Sequence, residues 1–259
     1  MRARGRLVVV VDGGRSVVRE LRSQAPLTLL PMRGTAAARA AAVTVHMLGS
    51  AAPPRGGDDV ELAVVVGPGA SLVLTGVAAA LALPAQGGEG SRLAVRLEIG
   101  AGADMQYLPE PTVITRRASH HGVLDVVLGA DARFRGREVL VAGRSCESTG
   151  RYHGLTRVAG PSGPLLVQTQ ELGLPDSPAH LAGRRVLATE VLVWGADPAE
   201  ASAGEWWSLT PLARGGSLAT AVARDAVTAE RDLASAIAAH PGWAAAVVGA
   251  VSAPDRTLQ

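Results

Sequence analysis

The sequence predicts a mainly β protein, a β-helix-like stack of short strands with one or two α-helices near its C-terminus. Three observations predict it. From residue 7 to about 210, apolar and polar residues alternate in short runs broken by Gly, Pro, Asp and Ser, which is the two-residue period of strands. A small-residue corner recurs after such runs, as Val66-GPGA, Ile99-GAGA and Leu128-GADA, with spacings of 33 and then 29 residues between Gly67, Gly100 and Gly129. The chain is 47% apolar but only 3% aromatic, so its core is built from many small aliphatic contacts, which suit layered strands.

Each element follows in chain order. The start, MRARGRLVVVVDGG, has an apolar run of only five residues before Asp12 and no small-residue cleavage site, so it reads as a first strand and not as a signal peptide. In DVELAVVVGPGASLVLTG, Val60, Leu62, Val64 and Val66 share one face, and Leu72 and Leu74 continue an apolar face after the corner. Gly67, Pro68 and Gly69 therefore serve a turn. Leu93, Val95, Leu97 and Ile99 repeat the pattern against Arg92, Arg96 and Glu98, and Gly100 and Gly102 form the next corner. The recurrence predicts stacked hairpins or coils sharing one elongated core, with a β-sandwich as the alternative. Further on, Leu218, Val222, Ala226, Ala229, Leu233 and Ile237 fall at helical spacing, Ser217 is placed to cap such a helix, and Pro241 with Gly242 ends it. Trp243 to Val251 reads as either helix or strand. No long linker interrupts the chain, so a single domain over residues 1–259 is expected, with a β body at about 7–212 and a helical tail at about 217–251.

Composition and motifs exclude several chemistries. All 25 basic residues are Arg, a bias that reads as a coding preference, and the net charge of +2 with no arginine run interleaved with aromatics argues against nucleic acid. No segment approaches the roughly 20 apolar residues of a membrane span. The single Cys146 rules out an internal disulfide, so the expected compartment is the cytoplasm. The Gly67 loop fails as a phosphate cradle because a P-loop needs a lysine and the chain has none. The Gly100 loop lacks the third glycine and the helical continuation that dinucleotide binding requires. His120 and His121 are adjacent, while His46, His153, His180 and His240 are scattered, and no pair has helical ligand spacing. On a strand, adjacent histidines point to opposite faces, so at most one faces any given site. Neither Ser145 nor Cys146 lies in a nucleophile elbow. Asp58, Asp59 and Glu61 read either as an acid/base set or as solvated turn acids.

In order, the segments QAPLTLLPMRG, VTVHMLGSAAPPRGGDDVEL, VGPGASLVLTG, LEIGAGADMQYLPEPTVI, EVLVAGRSCE and GPLLVQTQEL closely resemble the urease accessory protein UreD (UreH) family, over residues 7–172 with a weaker echo in the tail. The resemblance implies a β-helix-like body with two helices and no catalytic activity. It implies a scaffold and nickel metallochaperone subunit that holds the urease apoprotein on one side and UreF on the other, and through UreF recruits the GTPase UreG. A dimeric arrangement within that accessory complex is also implied. No cofactor is tightly bound; Ni²⁺ is in transit through a water-filled passage, where weak oxygen ligands would suit it. By motif, Asp58 and Thr75 would line this nickel path, with Glu138 five positions before the glycine of the GR motif and Gln168 where the family usually has Glu. Glu61 and Glu147 are weaker candidates, Glu147 because GRSCE departs from the family's GRxxxGE. Two rival readings remain: a β-helical polysaccharide hydrolase using Asp58 with Glu61, or Glu138 with Glu147, and a purely structural β-repeat protein.

Overall fold

A computed structural model describes residues 1–35, 40–50, 54–173 and 181–252, with side chains described only as far as 246 in the last helix. His180 lies outside the described residues. Two sheets carry the chain. The first contains β1 (Arg2–Asp12), β2 (Arg15–Arg22), β5 (Asp59–Val66), β8 (Ser91–Ile99), β11 (Ser119–Leu128), β13 (Arg151–Gly160) and β14 (Gly163–Leu172), in the order β14-β13-β11-β8-β5-β1-β2. The second contains β3 (Leu27–Pro31), β4 (Val43–Gly49), β6 (Ser71–Gly76), β9 (Asp104–Leu108), β12 (Arg133–Ala142), β15 (Val186–Val193), β16 (Ser202–Ala203), β17 (Trp207–Pro211) and β18 (Ser217–Ala223), in the order β16-β17-β18-β15-β12-β9-β6-β4-β3. Two short strands, β7 (Ala80–Ala82) and β10 (Thr112–Ile114), pair in parallel beside the second half of β12.

Each small-residue corner carries the chain from the first sheet to the second: β5 to β6, β8 to β9, β11 to β12. Neighbouring passes pair in parallel, β5 with β8 and β8 with β11 in one sheet, β6 with β9 and β9 with β12 in the other. The repeat is therefore one of coils, not hairpins, and the fold is solenoid-like. The corners themselves stack. The Gly67 amide donates to the Val9 carbonyl at 2.8 Å, Gly100 to Val66 at 2.7 Å and Gly129 to Ile99 at 2.7 Å. A Cβ on Gly100 would lie 2.7 Å from the Pro68 nitrogen, and one on Gly129 2.6 Å from the Ala101 nitrogen, so this position has no room for a side chain. The third corner residue is left-handed in every case, at φ 67° for Gly69, 62° for Gly102 and 55° for Asp131, and Asp is one of the few non-glycine residues to tolerate that region.

Between the sheets the inward faces form the core. Val60, Leu62, Val64, Val66, Leu72 and Leu74 are all buried, as their alternation predicts, and Leu7, Leu97, Met105 and Phe134 pack with them.

The tail requires a correction. Residues 217–223 are strand β18, paired antiparallel with both β15 and β17, and not the first turns of a helix. Ser217 caps nothing; its hydroxyl donates to Asp197 Oδ1 at 2.8 Å. The physical reason is the alternation of Ser217, Ala219, Ala221 and Ala223, all buried, which a strand places on one face. Helix α1 (Ala226–Ala238) starts only after Asp225, whose side chain accepts from the Thr228 amide at 2.8 Å as an N-cap. Its Ala229, Leu233, Ala236 and Ile237 pack on those strand alanines in a second core cluster. Helix α2 (Pro241–Ser252) follows, so Trp243 to Val251 is helical, opening on the proline at its first position.

Candidate functional site

Strand alternation on β12 turns Phe134, Glu138 and Leu140 towards the interior. A cavity of about 480 Å³ opens there, walled by both sheets and lined by Tyr107, His120, Arg137, Glu138, Tyr152 and Thr156 among mainly apolar neighbours. That volume is roughly an order of magnitude above one water's share of about 30 Å³, and its polar groups suit a wet interior.

The carboxylate is positioned from the opposite sheet. Tyr152 on β13 donates its hydroxyl to Glu138 Oε1. Its ring lies over two strand glycines: a Cβ on Gly154 would come 2.7 Å from the Tyr152 hydroxyl, and one on Gly122 would collide with it too. Burial pushes the Glu138 carboxyl above the ordinary carboxylate range, and the Tyr152 hydrogen bond opposes this only in part. Burial and the Glu138 charge raise both Tyr107 and Tyr152, which stay protonated donors. His120 on β11 is pushed down to about 4, first by burial and then by the charge of His121, so it is a neutral imidazole at neutral pH; Ser91 Oγ lies 2.9 Å from its Nδ1. Arg137 brings a guanidinium to the same cavity, 4.0 Å from Glu110, with a buried Nε that has no hydrogen-bond partner among the described residues. On the inward side of β14, Gln170 Nε2 donates to Thr189 Oγ1 at 3.2 Å, and Thr189 pairs in register with Glu138.

Of the residues the resemblance places on a nickel path, only Glu138 lines this cavity. Asp58 is buried beside the entrance to β5, where Oδ2 accepts from the Arg55 amide at 2.9 Å and Oδ1 lies 2.6 Å from the Met1 amino group. The half-buried Thr75 donates to the Leu108 carbonyl at 3.1 Å. Gln168 is half-buried on β14, in register with the cavity residue Thr156. Glu61 faces outward between Arg4 and Arg92, at 3.2 Å from each. Glu147 accepts from Arg144 at 2.9 Å in a separate surface pocket, and that guanidinium holds its carboxyl down at about 2. Of the carboxylate pairs of the hydrolase reading, Glu138 and Glu147 line separate pockets, and Asp58 is turned to Arg55 and Met1 while Glu61 faces outward. His120 and His121 do take opposite faces, the first buried and the second exposed. The sequence reading missed Tyr107, Tyr152, His120 and Gln170 as site residues; Gly122 and Gly154, glycines inside strands, were the available signal for the Tyr152 slot.

Among the described residues no three His, Cys, Asp or Glu side chains converge as a metal cage, and no helix is long and apolar enough to cross a membrane. Fold and site together define a class: a β-solenoid protein whose interior cavity holds a few polar groups among apolar walls. Comparison with known proteins narrows it. The family model described as UreD urease accessory protein matches residues 1–258. Urease accessory protein UreD 1 of Saccharopolyspora erythraea is 51% identical over 93% of this chain and 96% of its own length. UreD of a Parafrankia strain is 38% identical over 91% and 87%, and UreD of Streptomyces coelicolor 35% over 92% and 96%. The chain belongs to the UreD urease accessory protein family.

Proposed function

We propose that this chain is a non-enzymatic, single-domain scaffold of urease maturation in the cytoplasm, which bridges the urease apoprotein and the UreF/UreG complex and hands on Ni²⁺ through its interior. The observation that carries the reading is Glu138: a carboxylate in a roomy internal cavity whose one hydrogen-bond partner among the described residues is the Tyr152 hydroxyl. Burial raises the Glu138 carboxyl above the ordinary carboxylate range, and a divalent cation would relieve that cost, since it supplies the charge that the apolar walls withhold. One carboxylate with phenol, hydroxyl and water oxygens around it binds weakly enough to release its cargo. Asp58, Thr75 and Gln168, none of them in the wall of the cavity, are the further path residues, and their surroundings support the role less well than those of Glu138.

The test is urease maturation in cells carrying the urease subunits, UreF and UreG. Without this chain, urease should be recovered with little nickel and little activity, and the full chain should co-purify with urease and UreF. Normal nickel content in its absence would overturn the proposal.

A further inference from the structure

A second place suited to a metal ion lies on the outer face of the first sheet. His121 on β11 and His153 on β13 are in-register neighbours on adjacent parallel strands, and their ring centres are 5.9 Å apart at an interplanar angle of 49°. Both are open to solvent: His121 is exposed and the His153 side chain is 48% exposed. Glu171, opposite His153 on β14, brings Oε1 to 3.2 Å from His153 Nδ1. A carboxylate there accepts from Nδ1–H and leaves the Nε2 lone pair free, which is how carboxylates orient metal-binding imidazoles. On the other side Arg92 is in register with His121, but its charge is engaged by Asp59 at 3.0 Å and Glu61 at 3.2 Å, which lowers the repulsion an incoming cation meets.

We propose that His121 and His153 form a surface docking site for a divalent transition-metal ion, with Glu171 orienting His153. Imidazole nitrogen selects borderline ions of the copper, nickel and zinc group over magnesium or calcium. Two cis nitrogens at about 2.0–2.1 Å from an ion bring ring centres to roughly 4.5–5 Å, so modest rotation of the two exposed rings closes the 5.9 Å gap. With no third ligating side chain converging among the described residues, water fills the other positions and the ion exchanges readily. His120, the residue before His121, lines the interior cavity, so the docking site lies across one strand from it. The choice of Ni²⁺ as the ion rests on the function proposed above.

Calorimetric titration of the full chain alone with Ni²⁺ tests the site. His121→Ala and His153→Ala should each weaken the exchangeable binding by about tenfold or more, with His121→Gln as a milder replacement and circular dichroism verifying the fold. Glu138→Gln should leave this surface event in place. Unchanged Ni²⁺ affinity in the folded double variant would overturn the site. The titration needs neither urease nor UreF, so that failure would count against the site alone, whereas normal nickel loading of urease without this chain would count against the maturation role.

Discussion

The two faces of the first sheet and its neighbours hold acidic side chains in opposite electrostatic states. Outside, Asp59 and Glu61 share Arg92, Asp104 pairs with Arg133 and Asp125 with Arg157. There Arg92 holds the Asp59 carboxyl below the ordinary carboxylate range. Inside, Glu138 meets a phenol in an apolar cavity and its pKa rises. The residue types are the same, and the partner and the dielectric decide what they can do. A paired surface acid is already neutralised, while Glu138, with a phenol and no cation against it among the described residues, is left to seek a proton or a metal ion.

Perturbing each side in turn separates the two electrostatic states. The largest effect is expected from His120. Its folded pKa of about 4 lies below the ordinary 6.5, so the fold holds the neutral form: the stabilisation is complete above pH 6.5 and is lost as pH falls towards 4. That difference corresponds to roughly 3 kcal/mol. Chemical denaturation between pH 7 and 4 should show it, and His120→Gln should flatten that part of the profile relative to wild type. Next comes the corner stack, where Gly100→Ala would push a methyl group against the Pro68 backbone and cost about 1–3 kcal/mol in denaturant melts.

The corners were legible in the sequence because their cause is local: a close approach at the first position and a left-handed third residue leave Gly or Asp in each repeat. The cavity was less so. Glu138 was reachable by its motif, but its partners come from β9, β11 and β13, and strand alternation fixes a face without naming what lies opposite. The family-matched Asp58 is legible in another sense, since an aspartate following a glycine turn commonly binds nearby backbone amides, as Oδ2 does here with Arg55. The boundary of α1 was obscured by alanine, which is at home in a helix and also small enough to lie under one when alternated along β18.

A smaller effect is expected at Glu138. Because its folded pKa is raised, wild type loses stability as pH climbs above the ordinary carboxylate range, so the melting temperature of Glu138→Gln should gain on wild type as pH rises. Removing the opposing donor in Tyr152→Phe should steepen the wild-type loss. The smallest effect belongs outside: Glu61 is 38% exposed, and Glu61→Gln should change stability by less than about 0.5 kcal/mol at any of these pH values.

The most direct measurement is the nickel content of urease matured with Glu138→Gln beside urease matured with Glu61→Gln, both variants folded and recovered in equal amount. An interior route for the ion predicts depleted urease with the first and fully loaded urease with the second. Equal loading by the two would contradict it.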